Sequence, residues 1–126
     1  MASQLTIDAV IAANTTVTHP GLEQEPLAKE AGGLSGRPLT ALSTAVIRKL
    51  YTHPQGKIPI IGVGGIETAE DTWEKLIAGA DLVQIYSVLI YEGPNVVREI
   101  IEGLTDKVTA SGCATLTEAI AKARNI

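Results

Sequence analysis

Two pairs of residues in this sequence are suited to holding an anion through the main chain. Gly64 and Gly65 end one apolar run, and Tyr86 and Ser87 end the next. Glycine lacks a Cβ atom, so a ligand can approach the backbone closely and φ can be positive. Ser87 adds a hydroxyl group and its own N–H. This spacing predicts a phosphate cradle between two neighbouring strand ends. The alternative is that Gly64-Gly65 only makes a tight turn between a strand and a helix.

A helix is expected just after the glycine pair. Residues 68–71 resemble a capping box, with Thr68 as the N-cap residue. The first N–H groups of a helix have no partner within the helix, and its dipole favours an anion at this end. We therefore expect the free N–H groups of this helix to point at the glycine loop.

Two further polar segments have residue types that could bind a planar ligand or a cofactor. Asn14 and Thr15 follow the first apolar run and offer an amide and a hydroxyl group. The alternative for them is a polar turn with side-chain caps. Ser35 could donate a hydrogen bond, and Gly36 would let a cofactor approach the backbone. The alternative there is a surface loop in which Arg37 is a solvated charge rather than a ligand clamp.

The elements that position these residues alternate between strands and helices. Apolar runs predict strands at 7–13, 58–63 and 82–86, the first of them covered on both faces. Helices are predicted from Pro38, at 68–78, from near Pro94, and at 116–123. In the first of them the apolar residues at helical spacing are Leu39, Leu42, Val46, Ile47 and Leu50. A long loop fills the stretch to about Gly36, and a turn is expected at 51–57.

This order predicts an α/β fold with a parallel sheet and right-handed crossovers. Three strands are too few to close a barrel of eight. We therefore expect residues 1–126 to form a single partial domain, an open piece of a (β/α)₈ barrel. Such a piece has to associate with something to cover its strand edges.

Composition excludes several classes of protein. The chain has 126 residues, 45% of them hydrophobic, and a net charge of −4, so no basic surface favours nucleic acid. No apolar run reaches membrane-spanning length, and residues 1–4 lack the pattern of a signal peptide. The single cysteine, Cys113, excludes an intrachain disulfide and fits a reducing cytoplasm. His19 and His53 have no ligand-spaced neighbours, so no metal site is expected.

Several segments together resemble one family, the class 2, quinone-dependent dihydroorotate dehydrogenases, in their C-terminal part. The most specific block is Gly-Gly-Leu-Ser-Gly-Arg-Pro-Leu at 32–39. The other matching segments, in chain order around it, are 12–16, 60–66, 82–87 and Gly93-Pro94. The resemblance covers nearly the whole chain after about Ile7.

This resemblance implies strands six to eight of a (β/α)₈ barrel with FMN across its top. In the family, a hydride passes from dihydroorotate to the flavin, giving orotate for pyrimidine biosynthesis, and electrons then leave to a quinone. By position, the residues that match FMN contacts are Ser35, Gly36, Gly64, Gly65, Tyr86 and Ser87, the last four around the phosphate. Asn14 and Thr15 match positions that bind the pyrimidine. Ala13 stands where many members have a threonine near the flavin.

The resemblance also implies what this stretch lacks. The family's serine base, its flavin-contacting lysine and its membrane-facing helices all match upstream parts of a longer chain. Without a base to take the C5 proton, we expect this chain alone to be inactive. We expect it to be cytoplasmic, whereas full-length members are peripheral on the inner membrane. Two alternatives remain open: a non-catalytic half-barrel that binds phosphate or flavin, and a structural remnant that self-associates.

Overall fold

The computed structural model describes residues 7–19, 21–53 and 58–125. Its sheet has the order β1-β2-β3, formed by β1 (Val10–Ala12), β2 (Ile60–Val63) and β3 (Leu82–Gln84). Both strand pairs are parallel, which confirms the predicted sheet. Each strand is shorter than its apolar run. Residues 1–6 and the centre of the turn expected at 51–57 lie outside the described residues.

Helices follow each strand, as the alternation predicts. The α-helices are α1 (Thr40–Tyr51), α2 (Ala69–Ala78), α3 (Ser87–Glu92), α4 (Asn95–Ser111) and α5 (Leu116–Arg124). Short 3₁₀ helices lie at Pro26–Lys29, inside the expected long loop, and at Arg37–Leu39, just before α1. Helix α3 is absent from the elements that the sequence predicts. This six-residue helix starts directly after Tyr86 and ends before Gly93, whose φ is 75°.

The helices cover one face of the sheet only. Ala12 on the helix side is 3% exposed, whereas Ile11 on the opposite face is 59% exposed. Leu82, paired in register with Ile61 and Ile11, is 63% exposed. The expectation that the first strand is covered on both faces is therefore wrong for the described chain. The sheet is open. Its face opposite the helices is apolar and exposed, and β1 and β3 are its two edge strands.

Aliphatic side chains fill two adjoining cores. One lies between the sheet, α1 and α2 and contains Ala12, Ile47, Ile60, Ala78 and Ala80. The other lies under α4 and contains Ile66, Val88, Val96 and Ile100. Helices α2 and α4 approach closely because Gly103 faces Ala69, where an added Cβ would lie 2.3 Å from the Ala69 Cβ.

A lysine is completely buried between α1 and α2. The Lys75 ammonium donates to Ser43 Oγ at 2.7 Å, to Thr44 Oγ1 at 2.9 Å and to the carbonyl oxygen of Thr40 at 3.2 Å. Burial lowers the pKa of Lys75 to about 8, although Asp71 and Glu74 oppose this change. The charge is retained in the core because all three of its donors have acceptors.

This lysine changes which face of α1 is buried. The sequence predicts an apolar face that includes Leu42 and Val46, but these residues are 44% and 40% exposed. Ser43 and Thr44 are buried instead, because they supply oxygen atoms to Lys75. The prediction of a helix is confirmed and its predicted face is partly wrong, because Ser43 and Thr44 lie on the buried side and bond the Lys75 ammonium.

The last helix is attached to the segment that leads into β3. The Arg124 guanidinium donates to the carbonyl oxygen of Leu76 at 2.7 Å and to that of Ala80 at 3.2 Å. It also lies 4.8 Å from the centre of the Tyr51 ring. The C-terminal carbonyl groups of α2 thus receive a cationic partner from α5, which satisfies groups that a helix end leaves unpaired.

The loop between β2 and α2 rests directly on the start of α1. Gly64 and Gly65 have φ values of 113° and 70°. A Cβ on Gly65 would lie 2.2 Å from Thr40 Oγ1, and one on Gly64 would lie 2.8 Å from Leu39 Cδ2. Both positions exclude a side chain because α1 is too close, not because a ligand has to approach from that side.

None of the helices in the described part of the chain combines the length and apolar character needed to cross a membrane.

The buried lysine gives a pH dependence of stability with a defined sign. The pKa of Lys75 is about 8 in the folded chain and roughly 10.4 for an exposed lysine, so the unfolded chain holds more protons between these values. The contribution of Lys75 to the free energy of unfolding therefore rises with pH, by about 1 kcal/mol per pH unit from roughly pH 8 to 10. Urea unfolding of the wild type and of Lys75→Met at pH 7.5, 8.5 and 9.5 measures this. A difference between the two proteins that stays constant across this range would contradict the assignment.

The two kinds of positive-φ glycine predict different costs of substitution. Gly112 has a φ of 74° with open space at its Cβ position, so Gly112→Ala is expected to cost about 1–2 kcal/mol of backbone strain. Gly65→Ala adds overlap with Thr40, and we expect about 2–5 kcal/mol in total. Chemical denaturation of both variants tests this. Equal costs would show that the contact with α1 does not constrain the loop.

Candidate functional site

A cleft of about 400 Å³ lies at the carboxyl ends of the three strands. This volume falls in the range of small-molecule sites, roughly 300–1,000 Å³. All eight residues singled out from the sequence line it: Asn14, Thr15, Ser35, Gly36, Gly64, Gly65, Tyr86 and Ser87. The structure thus brings the four separate segments into one site. Gly65 and Ser87, on which the proposed phosphate cradle depends, face the same cavity.

The long loop reaches the cleft through a single bridge to the segment after β1. The Thr16 N–H donates to the Leu34 carbonyl oxygen at 3.1 Å, and the Leu34 N–H donates to that of Thr16 at 2.8 Å. This antiparallel pairing brings Ser35 and Gly36 beside Asn14 and Thr15. The stretch described above as a loop is therefore anchored next to the site at its end.

The two serines of the cleft contact each other. Ser87 Oγ, at the start of α3, donates to Ser35 Oγ at 3.2 Å. Their hydroxyl groups come from positions 52 residues apart in the chain. A pair of adjacent hydroxyl groups at the end of a cleft can donate to one oxyanion together.

Asn14 is partly engaged in a local turn. Its Oδ1 accepts the N–H of Thr15, the next residue, at 2.8 Å. Both side chains are exposed at the cleft. The Asn14 Nδ2 group and the Thr15 hydroxyl group keep donor capacity toward the cavity.

The orientation of the glycine loop follows from two hydrogen bonds with α1. Ser43 Oγ donates to the carbonyl oxygen of Gly64 at 2.8 Å, and Thr40 Oγ1 donates to that of Gly65 at 2.7 Å. In a trans peptide the N–H points opposite to the C=O. The N–H groups of Gly65 and Ile66 therefore point away from α1, and neither has a hydrogen-bond partner within residues 7–19, 21–53 and 58–125. Successive N–H groups of this kind form an anion-binding concavity.

The start of α2 contributes less than the sequence suggested. The predicted capping box is confirmed, with Thr68 Oγ1 accepting the Asp71 N–H at 3.1 Å. Asp71 Oδ2 in turn accepts the N–H groups of Glu67 and Thr68, each at 3.0 Å. That this helix end favours an anion stays a prediction, and the negative charge of Asp71 and the adjacent Glu70 in the first turn opposes it.

An ion pair lies at the rim of the cleft. Arg37 is 81% exposed and binds Glu67 through Nε and Nη2. The Glu67 carboxylate raises the pKa of Arg37, chiefly through this hydrogen bond. Arg37 is thus an exposed charge whose partner is Glu67.

Some residues of the cleft were not identified from the sequence. They include Ile66, Glu67 and Gln84. Gln84 stands two positions before Tyr86, so the period of two along a strand would have placed both on one side. The Ile66 N–H carries no signal in the residue type, because its role depends only on the direction of the peptide.

Comparison with known proteins identifies the family of this fold and cleft. The sequence model of the family described as dihydroorotate dehydrogenase matches residues 1–108. Dihydroorotate dehydrogenase (quinone) of Synechococcus elongatus is 46% identical over 130 residues, covering 98% of this chain and 34% of the relative. The enzyme of the same name from Streptomyces griseus subsp. griseus is 49% identical over 123 residues, covering 95% and 33%. This chain thus spans about a third of the length of these curated relatives.

Solved structures agree with the sequence comparison. The crystal structure of dihydroorotate dehydrogenase from Eimeria tenella in complex with ferulenol superposes with a TM-score of 0.85 at 37% identity, covering 95% of this chain and 32% of that one. The ligand-free form gives a TM-score of 0.80 at 38% identity, covering 89% and 31%. The predicted partial (β/α)₈ barrel is confirmed, with three parallel strands that do not close. The chain belongs to the dihydroorotate dehydrogenase family.

Proposed function

We propose that this chain forms the part of a flavin-dependent dihydroorotate dehydrogenase that holds the FMN phosphate and one side of the pyrimidine site. One observation carries the proposal: the unpartnered N–H groups of Gly65 and Ile66 share a cleft with the hydroxyl groups of Ser35 and Ser87. These hydrogen-bond donors line one cleft, and a phosphate group accepts hydrogen bonds from donors of this kind.

The donor set fits FMN better than it fits a fully neutral ligand. Two backbone N–H groups and two hydroxyl groups supply up to four hydrogen bonds without a countercharge. When bound, the flavin ring of FMN supplies the hydride-accepting chemistry of the family. The phosphate end anchors that ring, and Gly36, which has a φ of 80° and open space at its Cβ position, lets the cofactor lie against the backbone.

Asn14 and Thr15 are proposed to bind dihydroorotate or orotate. The pyrimidine ring carries adjacent carbonyl and N–H groups, which an amide and a hydroxyl group can pair with. Both residues follow β1 directly, and catalytic faces of (β/α)₈ barrels are built from such positions. The Asn14 Oδ1 is already occupied by the Thr15 N–H, so we assign the Nδ2 donor to the substrate.

We infer that the acceptor for the C5 proton of dihydroorotate lies outside this chain, as the resemblance to the family implies. Among the described residues lining the cleft, Glu67 has the only carboxylate, and it is bound to Arg37. We infer that the base and the quinone contact belong to the two thirds of the relatives' length that this chain does not match. We also infer a cytoplasmic location for this part of the enzyme. A half-barrel that binds phosphate without turnover is the alternative, and the exposed apolar face of Ile11 and Leu82 would then favour self-association.

Flavin binding tests the cradle directly. The chain is expected to quench FMN fluorescence and to bind FMN at least ten times more tightly than riboflavin, which lacks the phosphate. Ser87→Ala should weaken FMN binding about tenfold, because a hydrogen bond to a charged group contributes about 1.5–3 kcal/mol, and should leave riboflavin binding unchanged.

Thr109→Ala is the matched control for the loss of a hydroxyl group. Thr109 lies on α4, outside the cleft, and its hydroxyl bonds only the carbonyl oxygen of Thr105 within the part of the chain that the structure describes. Its removal should change neither affinity. Equal affinity of the wild type for FMN and riboflavin would reject the cradle.

If the base lies in the part of the relatives that this chain does not match, activity should appear only when that part is supplied. Added to dihydroorotate, the FMN-loaded chain alone should show no loss of the flavin absorbance near 450 nm. Fused after the upstream two thirds of the Synechococcus elongatus relative, it should show that loss, because the base is then supplied. Reduction of the flavin by the chain alone would show that the base is already present here.

A further inference from the structure

The buried lysine and the glycine loop belong to one hydrogen-bond network. Lys75 Nζ has three protons and three acceptors: Ser43 Oγ, Thr44 Oγ1 and the Thr40 carbonyl oxygen. Lys75 is 0% exposed, so these three bonds account for the whole ammonium group. Such a group fixes the direction of every hydroxyl it contacts, since each hydroxyl oxygen must turn a lone pair toward it.

The network leaves one proton for the glycine loop. The Thr40 carbonyl oxygen belongs to the hydrogen-bond ladder of α1 and also accepts from Lys75 Nζ at 3.2 Å and from Thr44 Oγ1 at 2.9 Å, so its lone pairs are already engaged. Ser43 Oγ is within reach of that same oxygen at 3.1 Å and of the Gly64 carbonyl oxygen at 2.8 Å. Its single proton therefore goes to Gly64.

That proton sets the peptide between the two glycines. With the Gly64 carbonyl held toward α1, the N–H of Gly65 must point away from α1. Glycine permits the reverse orientation at little cost, because its φ and ψ are unrestricted by a Cβ. Without a fixed partner for its carbonyl, the same peptide can turn its oxygen toward the cleft, where an oxygen repels an anion.

We propose that Lys75, acting through Ser43, is a positioning residue that holds the Gly64–Gly65 peptide with its N–H toward the cleft. The proposal rests on the phosphate cradle described under the proposed function and adds to it a group that touches no ligand. Gly64 and Gly65 allow the loop to contact the start of α1 closely. The Lys75 ammonium fixes the orientation of the peptide between them.

A purely structural role for Lys75 makes a different prediction. Loss of the buried charge would then lower stability without changing the loop. Thr72→Val is the matched control, because Thr72 is 1% exposed in the same helix and, among the described residues, its hydroxyl bonds only the Thr68 carbonyl oxygen. It removes a buried hydroxyl group from α2 without touching Lys75 or the glycines.

The free chain provides the first arm of the test. In triple-resonance NMR spectra, Lys75→Met and Ser43→Ala should both shift the Gly64 carbonyl carbon upfield and move the Gly65 amide resonance, since the hydrogen bond to that carbonyl is lost. Thr72→Val should leave both resonances in place. Resonances unchanged in Ser43→Ala, or moved equally by Thr72→Val, would overturn the proposal. If Lys75→Met does not fold, Lys75→Gln takes its place, and resonances unchanged in the lysine variant would overturn the role of Lys75.

Flavin affinity provides the second arm. The ratio of FMN to riboflavin affinity should fall at least tenfold in Lys75→Met and Ser43→Ala and stay at the wild-type value in Thr72→Val, with riboflavin affinity unchanged throughout. A ratio kept by Ser43→Ala would overturn the positioning role while leaving the cradle intact. A wild type that does not distinguish the two flavins would reject the cradle, and the NMR arm would then decide the orientation of the peptide on its own.

Discussion

The ammonium group of Lys75 is the interaction on which the arrangement of this chain depends. It joins α1 to α2 and is stable in the core only because three oxygen atoms surround it. Those oxygens come from residues 40–44, the same turn that contacts the glycine loop. One buried charge therefore links the two helices, the buried hydroxyl groups of α1 and the loop behind the cleft.

The glycine loop of the cleft is bonded to α1 although the sheet does not close into a barrel. Helices α1 and α2 pack on one face of β1 and β2, and the loops of the cleft rest on these helices. The opposite face carries Ile11 and Leu82 exposed to solvent. In a closed (β/α)₈ barrel that face is the packed interior. The glycine loop is thus held against α1 in this part of a barrel, although the opposite face of the strands stays exposed.

Local patterns allowed much of this structure to be predicted. The apolar runs predicted the three strands, and Thr68 predicted the start of α2. The glycine and serine positions predicted residues that line the cleft. The sequence did not reveal the burial of Lys75, because a lysine on a helix is normally solvated. The burial of Ser43 and Thr44 instead of Leu42 and Val46 follows from that lysine, and no single-residue propensity contains such a pairwise effect.

Arg124 joins parts of the chain that are distant in sequence. By binding the carbonyl groups of Leu76 and Ala80 and stacking on Tyr51, it ties α5 to the end of α1 and to the residues that enter β3. Fraying of α5 then exposes two carbonyl groups at the foot of the strand that leads to Ser87. The hydrogen bonds of Arg124 therefore connect the terminal helix to the start of the strand whose far end leads to the serine side of the cleft.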